Sequence, residues 1–125
     1  MDQTLGTPLK LKSKKRIGEL FESGKSVKAF PLVLVYKTDE HLDTPFQIGF
    51  SVSKRNFKNA VDRNRIKRLL REYFRKNKYL FTLAGENQFL FMFIFTGKKM
   101  PNYSDIEKAM QKISKKFTEQ IQVIN

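Results

Sequence analysis

The sequence predicts an α+β domain: one small mixed sheet with helices packed on it, in the approximate order α-β-β-α-β-α. Three observations lead there. Segments 31–38, 46–53 and 88–96 are apolar at alternate positions or continuously over the length of a strand. Segments 60–76 and 104–123 carry apolar residues at helical spacing. The chain has 125 residues, 40% of them hydrophobic, enough for a single domain with its own core.

The elements follow in chain order. Residues 1–13 are expected to be extended or frayed and flexible, because Gly6 and Pro8 disfavour helix there. Lys14 to Glu22 reads as a short amphipathic helix, with Ile17, Leu20 and Phe21 on one face. Ser23-Gly24 ends it, Gly24 being suited to a left-handed cap. Pro31 to Thr38 is a strand, followed by a polar loop from Asp39 to Pro45. Phe46 to Ser53 alternates, with Phe46, Ile48, Phe50 and Val52 facing one way and Gln47, Gly49 and Ser51 the other. These two strands are expected to form a hairpin.

Ala60 to Lys76 is a helix, with Asn59 as its N-cap and Asp62 at the positive end of its dipole. Ile66, Leu69, Leu70, Tyr73 and Phe74 form its core-facing stripe. A turn near Ala84-Gly85 leads to a strand from Gln88 to Thr96, expected to be buried on both faces. Phe89, Phe91, Phe93 and Phe95 share one face, and Met92 and Ile94 the other. Ser104 and Glu107 form a capping box for the last helix, which runs to about Val123 with Ile106, Met110, Ile113, Phe117 and Ile121 inward. The pattern leaves room for one further short strand without a signal to place it.

Charge is the strongest functional signal. The net charge is +13, beyond ordinary solubility needs, and it points to a polyanionic partner. Eleven of the 25 basic residues lie between Ser53 and Lys78, opposed only by Asp62 and Glu72. On the helical wheel Asn64, Lys67, Arg68, Arg71 and Arg75 lie opposite or beside the apolar stripe, and Arg65 flanks them. Arginine forks grip phosphate oxygens bidentately and lysines add point charge. The helix thus docks by one face and offers cations on the other, the footprint of a nucleic-acid-binding surface.

Other chemistries are disfavoured. The absence of cysteine excludes disulfides, thiolate catalysis and cysteine-ligated zinc. There is no glycine-rich phosphate loop. The lone histidine, His41, lies in the polar loop without metal-site spacing and reads as a surface residue. Asp62 and Glu72 stand about 80° apart around the helix and roughly 15 Å along it, so they cannot grip one ion pair. No catalytic residue, metal ligand or small-molecule site is expected on the protein. Met1 to Leu11 holds no signal-peptide-like stretch, and the longest apolar run, Phe89–Phe95, is too short to span a bilayer. A cytoplasmic protein without a membrane partner is expected.

The sequence is more specific than its charge. The run Gly49-Phe50-Ser51-Val52-Ser53-Lys54, then Asn59-Ala60-Val61, then Arg63-Asn64-Arg65-Ile66-Lys67-Arg68-Leu69-Leu70-Arg71-Glu72, resembles the signature of the bacterial ribonuclease P protein component family. Arg16-Ile17, Leu20-Phe21, Gly24 and the strand from Pro31 to Tyr36 look like that family's first helix and strand. Two departures stand out. Lys58 replaces a glycine in a turn that is one residue longer, and Ile17 stands where the family often has an aromatic.

The resemblance implies a division of labour. A large RNA carries Mg²⁺-dependent phosphodiester hydrolysis, holding most of the Mg²⁺ itself. The protein binds that RNA and the 5′ leader of precursor tRNA, assisting endonucleolytic removal of the leader in tRNA 5′ maturation. Arg63, Asn64, Arg65, Lys67, Arg68 and Arg71 are implied to meet the RNA subunit, with Lys54, Lys58 and Asn59 close to its catalytic region. Ile17, Phe21 and Tyr36 are implied to line a cleft for the single-stranded leader, since aromatic stacking tolerates any base. A left-handed β-α-β crossover is also implied, against the usual hand. The alternatives are a ribosomal or RNA-chaperone type of RNA-binding protein, which shares the charge and aromatics, and a DNA-binding protein with its basic helix in a major groove.

Overall fold

A strand that is apolar at every position must be covered on both faces, and Phe89–Phe95 occupies the interior of the sheet. The computed structural model describes residues 10–42, 44–77, 81 and 88–124, with the backbone alone for 122–124. Its elements are α1 (Lys14–Ser23), β1 (Lys25–Ala29), β2 (Leu32–Thr38), β3 (Phe46–Val52), α2 (Ala60–Asn77), β4 (Phe89–Phe95) and α3 (Tyr103–Ile124). The four strands stand in the order β1-β2-β4-β3. β1 and β4 flank β2 antiparallel, and β3 runs parallel to β4. The expected α+β domain with a mixed sheet is therefore present.

Two expectations about the sheet change. β1 is the strand that lacked a signal: in Lys-Ser-Val-Lys-Ala only Val27 and Ala29 are buried. It pairs from Lys25 opposite Tyr36 to Ala29 opposite Leu32, so the tight hairpin is β1–β2, turning at Phe30-Pro31. The hairpin expected between β2 and β3 does not form, because β4 lies between them. The reason is coverage. β4 needs a neighbour on each side and a layer on each face, whereas β3 has Gln47, Gly49 and Ser51 on one face and tolerates the rim. A β3-α2-β4 crossover then joins two adjacent parallel strands.

The larger core lies between one sheet face and the helices α2 and α3. Leu34, Tyr36, Ile48, Phe91 and Phe93 meet Ile66, Leu70, Phe74, Ile113 and Phe117 there. Phe93 makes ring contacts with Phe50, Phe74, Phe81 and Phe91 at centroid separations of 5.4–6.5 Å. The smaller core covers the opposite face, where Leu11, Leu20 and Leu42 pack on Leu90 and Met92.

Local chemistry sets the ends of the elements. Ser13 caps α1, its hydroxyl accepting from the Arg16 N–H at 3.2 Å. Gly24 does close α1, but with φ −73° and not in the left-handed region. Glycine is required there for space: a Cβ would lie 2.3 Å from the Leu20 carbonyl oxygen. The cap of α3 is shifted from Ser104–Glu107 to Asn102–Asp105. The Asn102 N–H donates to the Asp105 carboxylate at 3.0 Å, and the Asp105 N–H to the Asn102 side-chain oxygen at 2.8 Å. Asparagine and aspartate form the same reciprocal box as serine and glutamate, two residues earlier.

Both rims of the sheet are occupied. On β1, Lys116 Nζ donates to the Lys28 carbonyl at 2.7 Å and Gln120 Nε2 to the Ser26 carbonyl at 3.5 Å. On β3, Lys10 forms a parallel bridge to Ile48, and the Leu11 N–H donates to the Ile48 carbonyl at 2.9 Å. Residues 10–13 are thus docked and not frayed as expected, because Leu11 has an apolar site to fill. Residues 1–9 and the turn expected near Ala84-Gly85 lie outside the described residues.

Phe93→Ala is expected to destabilise the fold by about 3–5 kcal/mol, since it empties a phenyl-sized volume from the packed core. Urea unfolding checks this. Phe21→Ala, at a 52% exposed position, is expected to change stability by less than about 0.5 kcal/mol in the same titration.

Candidate nucleic-acid interface

The basic surface is built from α2 and the loop before it. Ile66, Leu70, Tyr73 and Phe74 bury one side of α2, which turns Asn64, Arg65, Arg68 and Arg71 to solvent. Lys67 is half-buried at the edge of this row. The Arg71 guanidinium carbon lies 5.6 Å from the Phe50 ring centroid, so its cation rests on an aromatic of the sheet. Lys54, Arg55, Lys58 and Asn59 are exposed on the preceding loop.

These cations are not neutralised. Among the described residues the ion pairs are Arg16–Asp39, Arg75–Glu72 and Lys76–Glu72. Hydrogen bonds from Lys76 and then Arg75 hold the Glu72 carboxyl below the usual glutamate range. Glu72 therefore spends its charge on the last turn of α2 and leaves the remainder of the row unopposed.

The loop is held by four clamps. Ser53 Oγ accepts from the N–H groups of Arg55 and Asn56 at 3.1 and 3.4 Å. Phe57 buries its ring beside Phe95, 5.9 Å between centroids. Asn56 Nδ2 donates to the carbonyls of Thr96 and Gly97, both at 3.3 Å. Arg63, read from the sequence as an RNA contact, is turned toward the loop. Its Nη1 donates to the Phe57 and Lys58 carbonyls at 2.8 and 2.9 Å. Its first effect is to fix the loop that presents Lys54 and Lys58. Asn56 carried no functional reading in the sequence, and only its partners across the fold reveal its part.

The second candidate surface is the sheet face opposite α2 and α3. Strand register puts Ser26 beside Val35 and Lys28 beside Val33, and it aligns Val33 with Ile94 and Val35 with Met92. Ile17 from α1, Val35 and Ile94 each pack against the smaller core at its border, and Phe21 is exposed on the same helix as Ile17. This face is aliphatic along Val33, Val35 and Ile94, with Phe21 exposed on α1 and Lys28 exposed on β1.

Tyr36, implied by the resemblance to line the leader cleft, is not on that face. It faces the other way, 4.8 Å from Phe117 and 6.2 Å from Phe89 between ring centroids, with its hydroxyl donating to Gln120 Oε1 at 2.6 Å. Successive strand residues point to opposite faces, so the neighbour that shares a face with Ile94 is Val35. Ile17 and Phe21 are together; Tyr36 is a core residue. The signal that finds Val35 is strand parity across β2 and β4.

The polar loop 39–45 is a structural connection. Asp39 Oδ2 accepts from Arg16 Nε at 3.3 Å, and Asp39 Oδ1 accepts from the His41 N–H at 2.9 Å. Gln88 Nε2 donates to the carbonyls of Leu42 and Thr44 at 2.6 and 2.8 Å. Among the described residues no three metal-ligating side chains converge, and no helix is long and apolar enough to cross a membrane.

Comparison with known proteins settles the family. The family model described as Ribonuclease P matches residues 5–118. The chain belongs to the ribonuclease P protein family. A ribonuclease P protein component of Porphyromonas gingivalis is 35% identical over 100 residues, which span 77% of this chain and 73% of that one. One from Chlorobium phaeobacteroides is 45% identical over 83 residues, 62% of this chain and 57% of that one. The Staphylococcus aureus RNase P protein superposes with a TM-score of 0.72 at 26% identity, covering 86% of this chain and 93% of that chain. The RNase P protein from Thermotoga maritima shares the fold, with a TM-score of 0.69 at 20% identity over 86% and 96% of the two chains. Membership of the ribonuclease P family makes the protein a component of an endoribonuclease complex with an RNA partner, and the ribosomal or chaperone alternative is not favoured.

Burial raises the Tyr36 phenol above its ordinary range. The buried neutral form favours the folded chain. Its stabilising effect is complete below the unfolded value near about 10 and is lost as pH rises through the folded value. Ultraviolet titration is expected to show a component ionising later than exposed phenols, and Tyr36→Phe to diminish it.

Proposed function

We propose that this protein binds the ribonuclease P RNA along the exposed row of α2 and the loop 53–59, and holds the 5′ leader of precursor tRNA in the cleft beside α1. The observation that carries the proposal is a row of unpaired cations fixed on a helix whose other side is locked into the core. Asn64, Arg65, Lys67, Arg68 and Arg71 meet phosphates of the RNA subunit, and Lys54, Lys58 and Asn59 extend the contact from the loop. Arg63 acts on the same surface by holding that loop in place. The fixed helix requires no reorganisation on binding, which favours affinity.

The cleft suits a strand of variable sequence. Phe21 offers an aromatic face, Ile17, Val35 and Ile94 an apolar floor, and Lys28 a charge for the backbone. Stacking of this kind accepts every base. With Ile17 in place of a second aromatic and Tyr36 turned into the core, Phe21 supplies the main stacking surface.

Hydrolysis belongs to the RNA subunit in this reading. The carboxylates that α2 itself carries are Asp62 and Glu72, and Glu72 is held by Lys76 and Arg75. This donor set does not suit a protein-held Mg²⁺, so the ions that such a reaction requires are assigned to the RNA. The protein contributes positioning and neutralisation of phosphate repulsion, which lowers the demand for bulk Mg²⁺.

Cleavage of a 5′-extended precursor tRNA by ribonuclease P RNA at low Mg²⁺ is expected only when the protein is added, and protein alone is expected to be inactive. Cleavage by protein alone refutes the division of labour. In the Arg65→Ala/Arg68→Ala variant, the slope of log affinity for that RNA against log salt is expected to fall by about one per residue. Phe21→Ala is expected to weaken binding of leader-bearing precursor about tenfold and to spare mature tRNA. Tyr36→Phe is expected to leave both unchanged; equal losses in the two variants would return Tyr36 to the cleft.

A further inference from the structure

Three connections meet at one end of the sheet: the loop after β3, the segment after β4, and the turn between β1 and β2. Strand pairing requires this, since Val52 is opposite Phe95, Leu32 is also opposite Phe95, and Ala29 is opposite Leu32. Between the β1–β2 turn and the start of α3 lies a groove of about 620 Å³, within the size range of small-ligand sites. Its floor is apolar, from Pro31, Phe95, Pro101 and Ala109. Phe30 and Met100 stand at its sides, 83% and 38% exposed.

Single exposed apolar residues need no explanation. Here two of the four large exposed hydrophobics among the described residues flank one groove, and Phe30 is the most exposed of them. Four lysines, Lys98, Lys99, Lys108 and Lys112, also line it. The opposing carboxylate is Asp105, already engaged by the Asn102 N–H. An aromatic platform with a lysine rim matches the two halves of a nucleotide, a flat base and a phosphate. Neither the basic face of α2 nor the cleft beside α1 includes these residues.

The groove also continues the basic surface. Asn56 holds the loop 53–58 against Thr96 and Gly97, which form one wall of the groove. The loop that presents Lys54 and Lys58 is thereby joined to the chain segment that carries Lys98 and Lys99. We infer that the groove captures an unpaired nucleotide of the RNA subunit, its base stacked on Phe30 and its flanking phosphates at Lys98, Lys99, Lys108 and Lys112. This rests on the proposed RNA contact of α2 and extends that contact to the far end of the sheet.

The test uses the full chain, ribonuclease P RNA and precursor tRNA as separate ligands. Phe30→Ala is expected to weaken RNA-subunit binding about tenfold with an unchanged salt slope, and Phe30→Trp to restore it, because stacking needs a ring and not a particular one. Lys98→Ala/Lys108→Ala is expected to reduce the slope by about one to two. A photoreactive residue at position 30 is expected to cross-link an unpaired nucleotide of the RNA subunit. Unchanged affinity in both Phe30→Ala and Lys98→Ala/Lys108→Ala, or cross-links to precursor tRNA alone, overturns the inference. Loss of binding in Arg65→Ala without loss in Phe30→Ala removes the groove and keeps the helix; the converse removes the helix contact and keeps the groove.

Discussion

The double-sided burial of β4 is the constraint on which the structure depends. Seven consecutive apolar residues cannot lie on a sheet with one wet face. α2 and α3 cover the side of Phe89, Phe91, Phe93 and Phe95, and α1 with Leu11 and Leu42 covers Leu90 and Met92. Every later feature follows from this arrangement. α2 must cross the sheet to connect β3 with its parallel neighbour, which commits one side of the helix to the core and leaves its cations outward. α1 is too short to cover the whole second face, which leaves Val35 and Ile94 only partly buried.

Polar contacts add definition where apolar packing ends. The Asn102–Asp105 box starts α3, Lys116 and Gln120 close the rim of β1, and Arg63 and Asn56 fasten the loop between β3 and α2. The net positive charge opposes compaction. Its effect is reduced because the cations of α2 and the loop point away from the core, toward the place a polyanion would take.

Much of this was legible in the residues. The stripe Ile66, Leu70, Tyr73, Phe74 marked α2, and the family signature lay in 49–72. β1 was hidden because its lysines leave only Val27 and Ala29 as buried positions, too few to display a period. Chain neighbours usually pair, which favours a β2–β3 hairpin from the residues alone, and the stronger demand of β4 for a strand on each side overrides it. The family resemblance implies Tyr36 in the cleft. The alternation that correctly divided Phe46–Ser53 also divides Leu32–Thr38, and it puts Val35 there. Long-range contacts such as Asn56 to Gly97 had no sequence signal, because they depend on which strand ends coincide.

β4 is a shared wall between the two faces of the sheet. Its phenylalanines anchor the helix that carries the cation row, and its Ile94 borders the smaller core together with Ile17 and Val35. The offset between the two surfaces is one polypeptide layer, set by a hydrogen-bonded ladder with a strand on either side. No hinge intervenes among these elements. The protein is therefore built like a gauge block: a molecule seated on one surface and a molecule seated on the other are kept at a separation that cannot change without breaking the ladder itself.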